Sequence, residues 1–493
     1  IKQFVRSYPQ NQLVITCRTQ SQESRFERFD YVEVADFNEA QVNAFAEHWF
    51  KVVCSNAEEG QAKARQFLDK LSLEENKTIR ELAITPILLS LTCAVFQAQG
   101  KFYSKRSKLY EEGLELLLEK WDKSRSIERD EIYRDLCMDR KQELLSYLAV
   151  KKFEQAQYVL FEQEEIEGYI AEFLQISRRD SRVVLHAIEA QHGLLIERSQ
   201  KVWSFSHLTF QEYFVANWYC VQDDLEGLVS HLQQENWHEI LVLSTEFLPN
   251  ADNFLQLLKQ AVDCLEHMVD DSLIENFLSW LSNKVLLVLA EAPAAPKPAA
   301  LRAFYFETVL GREWLGREWQ YRSLAHRLGL HAIWIGSVWE FDLSLIACFC
   351  EGVKFASNNV LEHHCYSVLD YAKRFGTNVC KHGSFSPELQ VLEELRDCLP
   401  NSNADLEVHY EWWQTQGQNW LASLAIVIFK QRNIDILVSR KLSELQRQGL
   451  KIYYKANWTL ISCLNSNCTV SNKIRQEIEE TLLTNRRNRK ALP

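Results

Sequence analysis

Glycine and proline are scarce in this 493-residue chain, at 15 and 9, so few positions can break a helix or supply a tight turn. Long patterns of period 3.6 fill the space between them, and most of the chain is expected to be helical. No apolar run reaches the roughly 18 residues that a membrane crossing needs, and no secretory leader pattern opens the sequence. The sequence GxxxxGK[ST] occurs nowhere, so the backbone cradle and lysine that hold nucleotide phosphates in a P-loop are absent. Basic residues are outnumbered, and a net charge of −12 argues against broad nucleic-acid binding, which depends on neutralising phosphates. The 13 cysteines form no small-domain framework, and their odd number points to reduced thiols and a cytoplasmic protein. Hydrophobic residues at 46% and charged residues at 25% suit a chain of several domains with real cores.

The most informative stretch is Phe205-Ser-His-Leu-Thr-Phe-Gln-Glu-Tyr-Phe-Val-Ala-Asn-Trp-Tyr-Cys220. Thr209 and Glu212 have the T-x-x-E spacing of a capping box, which predicts a helix starting with Thr209 as its cap. Phe210, Tyr213, Phe214, Asn217 and Trp218 follow at spacings of three and four and predict one buried, ring-rich face. His207 lies outside that face, beside the positive end of the helix, where anions are favoured. Upstream, Gln12-Leu-Val-Ile-Thr-Cys-Arg18 reads as a buried parallel strand presenting Arg18 at its carboxyl end, where ligands bind in an α/β sheet. Leu82-Ala-Ile-Thr-Pro-Ile-Leu-Leu-Ser-Leu-Thr-Cys-Ala-Val-Phe96 reads as an apolar helix with Pro86 at its first position.

These three segments, in this order, closely resemble NACHT-family proteins of the STAND class, the group containing bacterial NACHT proteins and animal NOD-like receptors. FSHLTFQEYFVA resembles the end of the family's winged helix. The resemblance implies that His207 contacts the β-phosphate of bound ADP, that Arg18 on the sensor 1 strand reaches the γ-phosphate, and that Pro86 packs on the base. It implies ATP or ADP with Mg as cofactor in the full-length parent, and a switch whose closed ADP form opens and self-associates after exchange. Many bacterial relatives act in defence against phage. The Walker A and Walker B elements are missing here, so the expectation is a carboxyl-terminal portion of such an NTPase, with no ATP hydrolysis by this chain alone and no catalytic residue to assign.

The expected fold is mainly α, with a remnant of an α/β P-loop NTPase domain followed by a helical domain, a winged helix and carboxyl-terminal helical domains. Residues 1–78 would end the nucleotide domain, with Val32-Glu-Val34 as its last strand, Asp36 capping a helix that carries Val42, Phe45, Trp49 and Phe50, and a second helix over 61–71. Residues 79–130 would form the small helical domain and 131–222 the winged helix. Within the latter a strand is expected at Tyr158-Val-Leu-Phe161, with two more around the Ser199-Gln200-Lys201 turn. A helical domain over 223–292 begins with Glu235 to Pro249, and the proline-rich segment 291–300 leads through Pro298 into a helical tail over 293–493. That tail would sense an unidentified protein or ligand, and no membrane is expected to take part.

Two further clusters invite other chemistry. Cys348, Cys350, His363, His364, Cys365, Cys380 and His382 offer soft ligands, but neither C-x-C nor C-x-H has the C-x₂₋₄-C spacing of structural zinc, so no metal site is assigned. Arg178, Arg179 and Arg182 could face DNA on a winged helix, although three arginines at a helix start more commonly form a solvated face. The readings set against the switch are an all-helical interaction scaffold without nucleotide function and a winged-helix DNA-binding regulator.

Overall fold

The structure, a computed structural model, describes residues 36–73, 86–103, 105–124, 136–267, 272–291, 296–311, 323–330, 394–401, 404–434 and 441–484, with a few single positions between them. The strands expected around Arg18 and at Val32 to Val34 lie outside the described residues. So do the cysteines and histidines between Cys348 and His382. What is described is predominantly helical, with one small sheet, and divides into two compact units over 1–128 and 129–493.

In the first unit, helix α1 (Glu39–Val53) is capped by Asn38 and not by Asp36. Asn38 Oδ1 accepts from the Gln41 N–H at 2.9 Å and Gln41 Oε1 accepts from the Asn38 N–H at 2.9 Å, a reciprocal pair that satisfies two orphan donors and that an amide partner fulfils as well as a glutamate. Helix α2 spans Ala57–Ser72, a turn longer at its start than expected because Asn56 caps it. The two helices meet at Gly60, where a Cβ would lie 2.7 Å from the Phe50 carbonyl oxygen, so only glycine permits this approach. Phe50, Phe67 and Phe96 then close into a ring cluster with centroids 5.3–6.2 Å apart. Phe96 belongs to α3 (Pro86–Gln99), whose next neighbour is α4 (Arg106–Ser124).

In the second unit, α5 (Met138–Phe153), β1 (Phe161–Glu162), α6 (Gln163–Leu174), α7 (Arg178–His192), β2 (Leu195–Ser199), β3 (Val202–Phe205) and α8 (Leu208–Val221) follow the order of a winged helix. The sheet is antiparallel in the order β1-β3-β2, with Phe161 opposite Trp203 and Leu195 opposite Phe205. The first strand begins at Phe161, later than expected, because Gln157 Oε1 accepts from the Val159 and Leu160 N–H groups and holds that stretch in a turn. Lys201 turns the β2–β3 hairpin at φ 63°, a left-handed position taken here by a non-glycine residue.

Helix α8 differs from its expected form in two respects. His207, two residues before Thr209, is the cap. The buried surface also wraps most of the helix: Phe210, Gln211, Tyr213, Phe214, Val215, Ala216 and Tyr219 are buried, while Trp218 is half-buried against Tyr147. The cause is tertiary, since α8 packs on α5 and on α10 (His238–Phe247), neither of which a single-face pattern anticipates. After α9 (Leu225–Ser230) and α10, the chain continues through α11 (Asp252–His267), α12 (Ser272–Glu291) and α13 (Pro298–Phe306), which has Pro298 in its first turn. A π-helical turn over Glu307–Gly311, α14 (Leu324–Arg327), α15 (Leu406–Trp412), a second π-helical turn over Trp413–Gly417, α16 (Gln418–Arg432), α17 (Glu444–Leu464) and α18 (Asn472–Thr481) follow.

Candidate functional site

The two residues between β3 and α8, Ser206 and His207, are where strand backbone becomes helix backbone. His207 has extended geometry, φ −141° and ψ 143°, so its own carbonyl can open the helix while its side chain folds back to cap it. Nδ1 accepts from the Thr209 N–H at 3.3 Å and lies 2.9 Å from Thr209 Oγ1. With Nδ1 accepting the Thr209 N–H, a neutral ring carries its proton on Nε2 and presents that edge of the imidazole as a donor. The ring is half-buried and meets Phe210 edge to face at 6.5 Å.

The strand exit that carries His207 is held from two sides. The Ser206 N–H donates to the Leu194 carbonyl at 2.8 Å. Arg198, on β2, donates from Nε to Ser204 Oγ at 2.9 Å and from one terminal nitrogen to the Ser206 and Phe205 carbonyls at 2.8 and 3.3 Å. Further along α8, Gln211 donates to the Tyr158 carbonyl at 2.7 Å, Asn217 to Ser146 Oγ at 3.2 Å, and Tyr219 to Glu154 at 2.8 Å. These side chains fix the helix on α5 and on the approach to β1. Sequence reading did not single out Arg198. Its only signal there is a long cation in a wing strand whose neighbours are otherwise solvent-facing.

Pro86 opens α3, as its missing N–H allows, and is exposed while Leu88, Leu89, Cys93 and Phe96 behind it are buried. It belongs to the first unit and His207 to the second, and each is placed only within its own unit. Arg18 lies outside the described residues. The arginines at the start of α7 divide: Arg178 and Arg179 are exposed, while Arg182 makes a two-point pair with the buried carboxylate of Glu167 at 2.7 and 3.2 Å. Burial works to raise the Glu167 pKa, but the Arg182 and Gln163 hydrogen bonds outweigh it and leave it below the usual carboxylate value.

Among the described residues no cluster of histidine, cysteine and carboxylate could hold a metal, and no helix is long and apolar enough to cross a membrane. Burial raises the thiol pKa of Cys93 and pushes that of Cys220 up to about 11, which keeps both as unreactive thiols.

Residues 106–219 match the family model described as the winged helix-turn-helix domain C-terminal to NACHT. Residues 389–485 match the one described as NACHT C-terminal helical domain 2. Neither curated proteins nor solved structures give a match.

Proposed function

This chain is a NACHT-family protein, carrying the winged helix and the second helical domain that accompany NACHT modules, and we propose that it forms the holding half of an ADP/ATP-controlled switch. In this reading the Nε2–H of His207 donates to the β-phosphate of ADP at the positive end of α8, Pro86 covers the base and Arg18 meets the γ-phosphate of ATP, with Mg accompanying the nucleotide. Exchange for ATP frees the winged helix and permits self-association. The helices after about Asp224 receive the signal, from a protein or ligand in the cytoplasm, and the output is signalling or defence. The chain's own lack of GxxxxGK[ST] leaves the phosphate cradle to other sequence, and no ATP turnover is expected from these residues alone.

One observation carries the reading: His207 Nδ1 is committed to the Thr209 N–H, which turns the opposite edge of the ring into a donor at a helix N-terminus. A hydrogen bond from that edge to a charged phosphate is worth roughly 1.5–3 kcal/mol, enough to move a closed-to-open balance by roughly ten- to a hundredfold.

The test uses a chain in which a P-loop precedes this segment, and it must separate the latch from the cap. His207→Ala removes both, while His207→Ser keeps an oxygen for the Thr209 N–H but cannot extend to a phosphate. Both substitutions are expected to speed ADP release by roughly ten- to a hundredfold, whereas only His207→Ala lowers the melting temperature appreciably. An ADP off-rate left unchanged by His207→Ser would reduce His207 to a helix cap and favour the scaffold reading.

A further inference from the structure

We propose that Arg198 is the positioning residue for His207, and that an irregularity in the wing exists to aim it. Leu195, Ile196 and Glu197 pair in sequence with Phe205, Ser204 and Trp203, but Ser199 pairs with Val202. Arg198 is therefore an extra residue in β2, a bulge in the ladder. Bulges bend the strand and redirect the side chain at the inserted position, and they recur beside functional sites. Here the guanidinium is directed across the hairpin onto the end of β3.

What it grips is the backbone leading into His207. The Arg198 Nε–H goes to Ser204 Oγ, whose own hydroxyl donates to the Phe205 carbonyl at 2.7 Å, and a terminal nitrogen reaches the Phe205 and Ser206 carbonyls. With the Ser206 N–H already on Leu194, the peptide units on either side of Ser206 are fixed before the chain reaches His207. The planar fork suits this task, because one guanidinium satisfies three acceptors in a set geometry that an ammonium cannot reproduce. It also sets a permanent positive charge on the carbonyl that immediately precedes His207. An imidazole on a single-residue hinge would sample many orientations, and a donor aimed at a phosphate gains from having that freedom removed beforehand.

The consequence for nucleotide rests on the function proposed above, but the positioning does not, and the experiment separates them. The protein is labelled with ¹⁵N-histidine, and His207 is assigned among the 13 histidines by its loss in His207→Gln. Ring ¹⁵N shifts then report the tautomer, and hydrogen exchange reports the Thr209 amide. The wild type is expected to show an accepting Nδ1 with the proton on Nε2. Arg198→Ala should convert this to a mixed tautomer and speed Thr209 exchange about tenfold, the worth of one good hydrogen bond. Arg198→Lys should fall between, and Arg182→Ala, which touches α6 instead, should leave His207 as in the wild type.

A folded Arg198→Ala protein that keeps the Nε2–H tautomer and the Thr209 protection overturns the proposal. Should that variant fail to fold, a wild-type result for Arg198→Lys overturns it equally. MgADP is then added to the wild-type sequence in a chain in which a P-loop precedes this segment. If the His207 ring shifts stay still while the Arg198 variants behave as expected, the nucleotide reading fails and the positioning role stands.

Discussion

At the scale of single residues, the strongest commitments in this protein are buried polar groups that sequence patterning places in the core without their partners. Glu307, in the π-helical turn, is fully buried, and its carboxylate accepts from Ser323 Oγ at 2.6 Å, the Ala325 N–H at 3.0 Å and Tyr454 O–H at 3.0 Å. Burial pushes its pKa up to about 7 against the pull of those donors. The folded state then binds the proton more tightly than the unfolded chain, so the contribution is fully present below about pH 4.5 and is lost as pH rises through about 7, worth up to about 3 kcal/mol. Hydrogen exchange over 323–328 should therefore quicken between pH 5 and 8, and Glu307→Gln should flatten that dependence. His231 titrates in the opposite sense. Burial lowers its pKa, with Glu154 and Asp224 acting against it, so the neutral ring is the folded form. Neutral His231 fits a run of donors from Gln234 to His231, from His231 to Tyr219 and from Tyr219 to Glu154. Its contribution is present above the ordinary histidine range and is lost as pH falls. The end of α8 should loosen in mild acid, and a His231→Gln protein whose local exchange kept the same acid response would count against this.

At the scale of elements, α10 is packed on two sides. Ile240 and Leu241 are fully buried and Leu243 nearly so, because one face packs on α8 and another on α17. Trp237, just before α10, is fully buried between Phe153 at 5.2 Å and Tyr219 at 5.8 Å, and the His231 ring lies flat on it at 3.6 Å. On the other side His238 stacks on Trp458 at 4.3 Å and faces Thr459 Oγ1 at 3.0 Å, while Lys455 of α17 pairs with Glu235. The helix thus joins the histidine helix to the tail by packing on both. Trp237→Ala removes a ring that neighbours on three sides cannot collapse to replace, and it should cost about 3–5 kcal/mol in urea unfolding. Glu235→Gln, which loses only an exposed ion pair, should cost no more than about 1 kcal/mol.

At the scale of the whole molecule, the second unit is closed by contacts between residues far apart in the chain. Arg302 of α13 is buried, and its guanidinium donates to the carbonyls of Leu482, Glu479 and Glu480, which α18 leaves without helical partners. Burial lowers its pKa to about 10, still far above any working pH, so it remains a cation. Arg302→Met would strand several carbonyls at once and should cost about 3 kcal/mol or more, seen as a lower melting temperature and early exposure of 472–484 to exchange. Arg302→Lys, able to serve one carbonyl well, should lie between. Long-range pairs of this kind mark the limit of what the chain's order discloses. The helices, the wing hairpin and the position of His207 at a helix entry were legible, because periodicity, turn residues and cap chemistry act over a few neighbouring positions. Pro86 at the head of its helix and Pro298 at the head of another follow from a ring that fixes φ and lacks an N–H. The identity of a cap depends on less than the sequence shows: Asn38 displaced Asp36 and His207 displaced Thr209, since several nearby side chains can accept the same N–H and packing selects the start. The bulge that aims Arg198, the partners of Glu307 and the wrap of α8 by α5 and α10 were settled only in three dimensions, where residues as far as 221 positions apart meet and the desolvation of each polar group decides which partner it must take.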